Sequence, residues 1–230
     1  MNTLIVGASR GLGFELVRAS LERGDRVVAV VREPSERLIA LARESGSALV
    51  LERADVGDEA QLAAVAERLI GQSAGKLDRL VYNAAIHLEQ DRGDLLGAIV
   101  DDVLRTIDIN TVGAVRALKH LRPLVVDGGQ VVLISSEAGS IEQCWRDSEY
   151  GYCMSKAALN MFARLLEVRE RKRETGVTVH TVHPGWLRTD MGGPNADDSP
   201  REAAIELLTF LDHPVTDRIY TDRRGRVMPW

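Results

Sequence analysis

The chain opens an alternation that it keeps almost to its end: a short, continuously apolar run, then a longer stretch whose apolar residues recur at helical spacing. The runs are "TLIV" (3–6), "RVVAVV" (26–31), "ALVLE" (48–52), "DRLVYN" (78–83), "QVVLISS" (130–136), "VTVHTVH" (177–183) and "RIYT" (218–221). A strand covered on both faces reads as an unbroken apolar run. Between them lie helical patterns. One runs from about Gly11 to Arg23, and one is opened by Pro34 with Leu38, Leu41 and Ala42 on its apolar face. Another runs from about Asp58 to Gln72 with Leu62, Val65, Ala66 and Leu69, and longer ones lie near 106–125 and 150–174. Strands that alternate with helices are joined by right-handed crossovers and lie parallel. The prediction is an α/β fold: a single doubly wound (Rossmann) domain over residues 1–230, with a mostly parallel seven-stranded sheet flanked by helices. A chain of 230 residues is long enough for one such core.

Composition narrows the function classes. Lys plus Arg number 29 against 34 Asp plus Glu, a net charge of −5, which argues against a nucleic-acid partner. The charged stretch "EVRERKRET" (167–175) mixes both signs before Gly176 and reads as a solvated helix end. No stretch approaches the ~20 apolar residues of a membrane span, and the N-terminus lacks the pattern of a leader. The expectation is a soluble, cytoplasmic protein with no membrane partner. Cys144 and Cys153 have no metal or disulfide spacing, and His87, His180 and His183 read as structural, so no metal site is expected.

After the first run comes "GASRGLG", which puts Gly7, Gly11 and Gly13 between a strand and a helix. Glycines let the backbone turn tightly and approach a pyrophosphate, whose charge meets the free N–H groups of a helix start. Ser9, Arg10 and Leu12 lie in the same turn. The second run ends Val31-Arg32, where a carboxylate would be needed to read a free ribose 2′-hydroxyl. Arg32, with Arg10 nearby, favours a 2′-phosphate and so NADP(H) over NAD(H), although Glu33 follows one place later.

"YGYCMSK" (150–156) holds two tyrosines and a lysine. Tyr152 and Lys156 are four apart and share a helix face, whereas Tyr150 meets Met154 at that distance. A fixed ammonium beside a phenol favours the phenolate and lowers its pKa, which suits a general acid/base acting on an alcohol or ketone.

With these residues the sequence resembles the short-chain dehydrogenase/reductase family over essentially its whole length. "GASRGLG" matches the cofactor turn, and Asp55-Val56 stands where the family contacts adenine. "YNAA" replaces the family's N-N-A-G, so Tyr82 departs while Asn83, Ala84 and Ala85 align. Asn110 in "IDINTVGA", Ser136 at the end of "ISS", Tyr152 and Lys156 match the catalytic set. "HPGWLRTDM" supplies Pro184, Gly185, Trp186, Leu187 and Thr189 at the nicotinamide end. "MSKAALNMF", "HPGWLRTDMGGPNA" and "GRVMPW" look like the C-factor-like and Sniffer-type carbonyl reductase branch.

The resemblance implies NADP(H)-dependent interconversion of a small-molecule carbonyl and alcohol. Tyr152 acts as acid/base, Lys156 lowers its pKa and binds the nicotinamide ribose, and Ser136 holds the substrate oxygen. Asn110 holds a water linked to Lys156. The loop 137–151 flanks the substrate, with Trp145 and Trp186 either as walls or as packing. The loop 192–200 is either a lid or a surface connection, and Arg188 and Asp190 read as loop charges. Relatives pair as homodimers or homotetramers through helices such as those carrying Ala114, Ala117, Ala157 and Ala158. Two other readings stand beside this one. A cofactor-binding signalling protein of the same fold with little turnover would keep the same motifs. A sugar-nucleotide epimerase or dehydratase shares Y-x-x-x-K but needs more chain after Thr189.

Overall fold

The computed structural model describes residues 1–71, 76–88, 93–214 and 218–230. The strands are β1 (Asn2–Val6), β2 (Arg26–Val31), β3 (Leu49–Arg53), β4 (Leu77–Tyr82), β5 (Val125–Ile134), β6 (Thr178–His183) and β7 (Tyr220–Asp222). They form one sheet in the order β3-β2-β1-β4-β5-β6-β7, and each neighbouring pair is parallel. The order reverses between β1 and β4, so crossovers leave to opposite faces there. A crevice opens at the carboxyl ends of these two strands, which is where open α/β sheets bind ligands.

The helices are α1 (Gly11–Glu22), α2 (Glu36–Ser45), α3 (Glu59–Gly71), α4 (Val100–Ile107), α5 (Gly113–Leu121), α6 (Tyr150–Lys172) and α7 (Pro200–Asp212). Side chains alternate across each strand, so Leu4 and Val6 face one core and Ile5 the other. The first core is closed by Leu62, Val65 and Leu69 of α3, Leu118 and Leu121 of α5, and Leu159 and Ala163 of α6. The second is closed by Leu16 and Val17 of α1, Leu38 of α2, and Leu207, Leu208 and Leu211 of α7. No helix among the described residues is long and apolar enough to cross a membrane.

Several elements differ from the sequence reading. β5 starts at Val125 and slips register, pairing Val125 with Leu77 but Gln130 with Arg79. Gly128 (φ 77°) turns inside the slip and gives its N–H to the Thr175 carbonyl. β5 also stops at Ile134, so Ser135 and Ser136 lie beyond it. β7 spans three residues instead of beginning at 218. The helical stretch near 106–125 is α4 and α5 joined by a π turn at Asp108–Val112. α7 is not among the expected elements, although Ser199 caps it and Pro200 opens it. The expected end of the third helix, Gln72, lies outside the described residues, and α3 is described to Gly71.

Candidate active site

The crevice is a cleft of about 1070 Å³ that runs from Arg32 and Ser35 to Tyr152 and Trp186. Its floor at the first strand is the glycine turn. Gly7 (φ 86°) and Gly11 (φ 55°) take left-handed conformations that an L side chain rarely adopts. Gly13 has a different reason to be glycine, since a Cβ there would stand 2.1 Å from the Gly7 carbonyl oxygen and 2.6 Å from Asn83 Nδ2. Asn83 Nδ2 donates to the Gly7 carbonyl at 2.7 Å, so the residue just past β4 fixes the turn. Gly13 therefore lies behind the cleft, while Gly7, Ser9, Arg10, Gly11 and Leu12 line it.

Could a dinucleotide fit? α1 has no side-chain cap at Arg10 and no acidic residue in its first turn. By contrast, α2 and α7 are capped by Ser35 and Ser199. The open N–H groups of α1 face the cleft at the place where a pyrophosphate would need donors. Asp55 and Val56 line the wall beside β3, with Asn83, Ala84 and Ala85 beneath. Asp55 Oδ1 accepts the Gly57 N–H at 2.8 Å, which shapes that corner.

The charges at the far end sort out differently from expectation. Arg10 bonds Asp190 at 2.8 Å, and both partners are largely exposed; Arg10 and Arg32 line the same cleft. Asp190 is thus a partner of the glycine turn, not merely a loop charge. Glu33 is paired with Arg53. Arg32 is exposed on the cleft and forms no ion pair among the described residues. Ser35 Oγ donates to the Ser9 carbonyl at 2.7 Å and ties the turn to α2.

At the other end Ser136, Tyr152 and Lys156 converge. The half-buried Tyr152 ring sits on the first turns of α6, and its hydroxyl hydrogen-bonds Ser136. Burial raises its pKa, against the Ser136 bond and the Arg146 charge, which lower it. Lys156 is not among the main influences on the phenol here. The ammonium lies 5.6 Å from the centre of the tyrosine ring and donates to the Ile134 carbonyl at 2.9 Å. Burial pulls Lys156 itself down to about 8. Tyr150 is elsewhere, its hydroxyl donating to the Asp147 carbonyl at 2.6 Å.

Asn110 is fully buried and does not line the cleft. Its Oδ1 accepts the Ile86 N–H at 2.8 Å, and its Nδ2 donates to the Ile86 carbonyl at 2.9 Å and to Ser155 Oγ at 3.0 Å. The π turn brings it there, and it clamps the loop after β4 against α6.

The substrate side holds groups that sequence reading missed. His87 stacks on Tyr152 with ring centroids 4.6 Å apart, and its Nε2 lies 3.4 Å from Glu149. Glu149 also pairs with Arg146, which reaches Glu137 at 2.8 Å and lies over the Trp145 ring. Glu149 has φ 62°, a strained value for a residue other than glycine, directly before α6. His183 lines the cleft, and its Nδ1 accepts the Glu137 N–H at 3.1 Å. Trp145 and Trp186 both line the cleft and are 73% and 52% exposed, so neither is core packing.

Pro184, Gly185, Leu187 and Thr189 form the last wall. Thr189 faces the glycine turn, with its Cγ2 3.2 Å from where a Gly11 Cβ would lie. The loop 192–200 is tied down. Arg188 donates to the Ala196 and Asp197 carbonyls at 3.0 and 2.5 Å, and Trp186 Nε1 donates to the Gly192 carbonyl at 2.9 Å. Among the described residues no group of acidic, histidine or cysteine side chains could hold a metal ion.

A model of the short chain dehydrogenase family matches residues 1–200. The chain is 29% identical over 233 residues to the 1-hydroxy-2-glutathionyl-2-methyl-3-butene dehydrogenase of Rhodococcus sp. (strain AD45), covering 99% of this chain and 98% of that one. It is 34% identical over 161 residues to the C-signal protein of Myxococcus xanthus, covering 68% of this chain and 94% of that one. A carbonyl reductase from Pseudomonas aeruginosa PAO1 in complex with NADP superposes with a TM-score of 0.84 at 29% identity, over 100% of both chains.

Proposed function

Because the chain belongs to the short-chain dehydrogenase family, we propose that it reduces a small-molecule carbonyl compound with NADPH, with Tyr152 as the proton donor. Its activity is that of an NAD(P)-dependent oxidoreductase of the carbonyl reductase type. The observation that carries the finer reading is the convergence of Ser136, Tyr152 and Lys156 at one end of a cleft whose other end presents Arg32.

The nicotinamide, when bound, supplies the hydride. The protein does the rest. Ser136 donates a hydrogen bond to the substrate oxygen and stabilises the charge that develops there. Tyr152 gives its proton to that oxygen as the carbonyl carbon accepts hydride, so the alcohol forms with both added hydrogens accounted for. A tyrosine kept neutral by burial is ready to act as this acid. Lys156, buried and held on Ile134, can return a proton to the phenolate because its own pKa is about 8. In the reverse direction the same groups take the proton from an alcohol.

Cofactor choice follows from Arg32 and the pairing of Glu33 with Arg53. A guanidinium open to the cleft bonds a 2′-phosphate strongly, and the adjacent Glu33 carboxylate is already engaged. The NADP of the Pseudomonas carbonyl reductase supports the same choice. Loss of NADPH absorbance with a panel of aldehydes and ketones tests the reading; a panel that leaves NADPH intact would favour the signalling alternative, which the likeness to C-signal supports.

We also propose that the chain pairs through α4 and α6. Val100 and Leu104 on α4, and Met154, Met161 and Leu165 on α6, are exposed on helices that pack together. Of the small residues expected at such a face, Ala114 and Ala117 are fully buried and cover the sheet, while Ala158 is exposed.

A further inference from the structure

The chain's last segment reaches back to the reaction end of the cleft. Tyr220 is buried, and its hydroxyl donates to the Ser136 carbonyl at 2.7 Å. Its ring lies against Trp230, with centroids 5.3 Å apart and planes tilted by 31°. The Trp230 carbonyl accepts the Glu142 N–H at 2.7 Å and the Ser140 hydroxyl at 3.3 Å. Met228 N donates back to the Tyr220 carbonyl at 2.9 Å, which folds the segment on itself. Three points of the stretch that begins at Ser136 therefore hang on two aromatic residues.

The opposite wall hangs on the same segment. Arg223 donates to the Pro184 carbonyl at 2.8 Å and to both Asp198 oxygens at 2.8 and 2.7 Å. A Cβ on Gly185 would stand 2.0 Å from Arg223 Nη1, so the wall and the segment are in direct contact. Behind Ser136, Asn160 completes the frame. It accepts the Ser135 hydroxyl at 2.6 Å and donates to the Gly139 carbonyl at 3.1 Å. None of these contacts involves Arg32 or the glycine turn.

From these contacts we infer that residues 220–230 are a strut that positions Ser136 and the substrate-flanking loop 137–149, with Tyr220 and Trp230 as the positioning residues. The Tyr220 and Trp230 contacts set where the substrate oxygen is held, and they touch none of the residues placed at the dinucleotide; Arg223, which holds the nicotinamide wall, is left intact. A displacement of Ser136 by a fraction of an ångström lengthens its bond to that oxygen, and such positioning losses reach the rate. The kinetic consequence presupposes the carbonyl-reductase reading; the effect on loop opening does not.

The test uses the full chain carrying Tyr220→Phe, Trp230→Ala or Trp230→Phe. Tyr220→Phe keeps the ring against Trp230 and removes only the bond to Ser136. Two readouts are taken: amide hydrogen exchange across 137–145 with β1 and β2 as controls, and steady-state kinetics with NADPH and a carbonyl substrate. Loss of the buried Tyr220 bond or of the Trp230 ring should speed exchange in 137–145 and lower kcat/KM for the carbonyl by about tenfold. NADPH affinity and exchange in β1 and β2 should not move, and Trp230→Phe should restore most of what Trp230→Ala loses. Unchanged exchange in 137–145, or faster exchange spread evenly over the sheet, would overturn the strut. Faster exchange confined to 137–145 in a protein that reduces no carbonyl would sustain the strut and sink the reductase reading instead.

Discussion

Tyr150 and Tyr152 are two residues apart on α6 and meet different surroundings, one bonded to the Asp147 carbonyl at the surface, the other beside Ser136. Tyr152→Phe should therefore cost turnover of about 10²–10⁴-fold while NADPH still binds, and Tyr150→Phe should cost far less. Steady-state rates and cofactor titrations on the two variants check this, and equal losses would contradict it. Lys156 adds a pH dependence. Its ammonium loses its charge as pH rises through about 8, whereas burial keeps Tyr152 protonated beyond the usual tyrosine range. Carbonyl reduction at saturating NADPH should hold level below that value and decline above it. A profile that stays level well into the alkaline range would show that the Lys156 charge is not needed. Arg32 is the third residue with a measurable consequence. Arg32→Asp removes a donor and adds repulsion, so it should erase or reverse the preference for NADPH over NADH. Isothermal titration of both cofactors at one ionic strength tests it, and a wild-type protein that binds both equally would contradict the role given to Arg32.

At the scale of elements, β6 carries a buried liability. Neither ring nitrogen of His180 has a hydrogen-bond partner among the described residues, its ring meets Phe210 of α7 edge-on, and burial together with the charge of Arg79 pulls its pKa to about 4. Below its ordinary value the unfolded chain takes a proton that the folded chain refuses. Stability is thus fully present above that value and falls as pH drops toward the folded pKa, by about 1.4 kcal/mol per unit at most. Urea midpoints at neutral and mildly acid pH should separate for the wild type and draw together for His180→Leu. An unchanged separation would contradict the account. Elements were legible where their signal is local. The apolar runs gave the strands because both faces of the sheet are covered, and the Tyr152–Lys156 spacing needed only one helix. The β5 slip and the π turn that places Asn110 were not legible, because each depends on what packs against it. The stack of His87 on Tyr152, the Arg10–Asp190 pair and the hold of Arg223 on Pro184 join segments far apart in the chain. No residue spacing announces such contacts.

For the whole molecule, one sheet with its order reversal between β1 and β4 places the glycine turn and Tyr152 along a single cleft. None of the exposed apolar residues of α4 and α6 lines that cleft, so pairing through them is compatible with an open site. Light scattering at micromolar concentration should give a dimer or tetramer mass, and Leu104→Lys with Met161→Lys should give a monomer. A monomer mass for the wild type at every concentration would remove the pairing. In the proposed reaction hydride passes from NADPH to a carbonyl carbon while Tyr152 protonates the oxygen. The direct measurement uses NADPH carrying deuterium on the transferred position of C4 with the best carbonyl of the panel, for wild type and Tyr152→Phe. The wild type should give an alcohol with one deuterium on its carbinol carbon, and Tyr152→Phe should form almost none while binding NADPH as tightly. NADPH that binds while no carbonyl gains deuterium, or deuterated alcohol formed equally well by Tyr152→Phe, would contradict it.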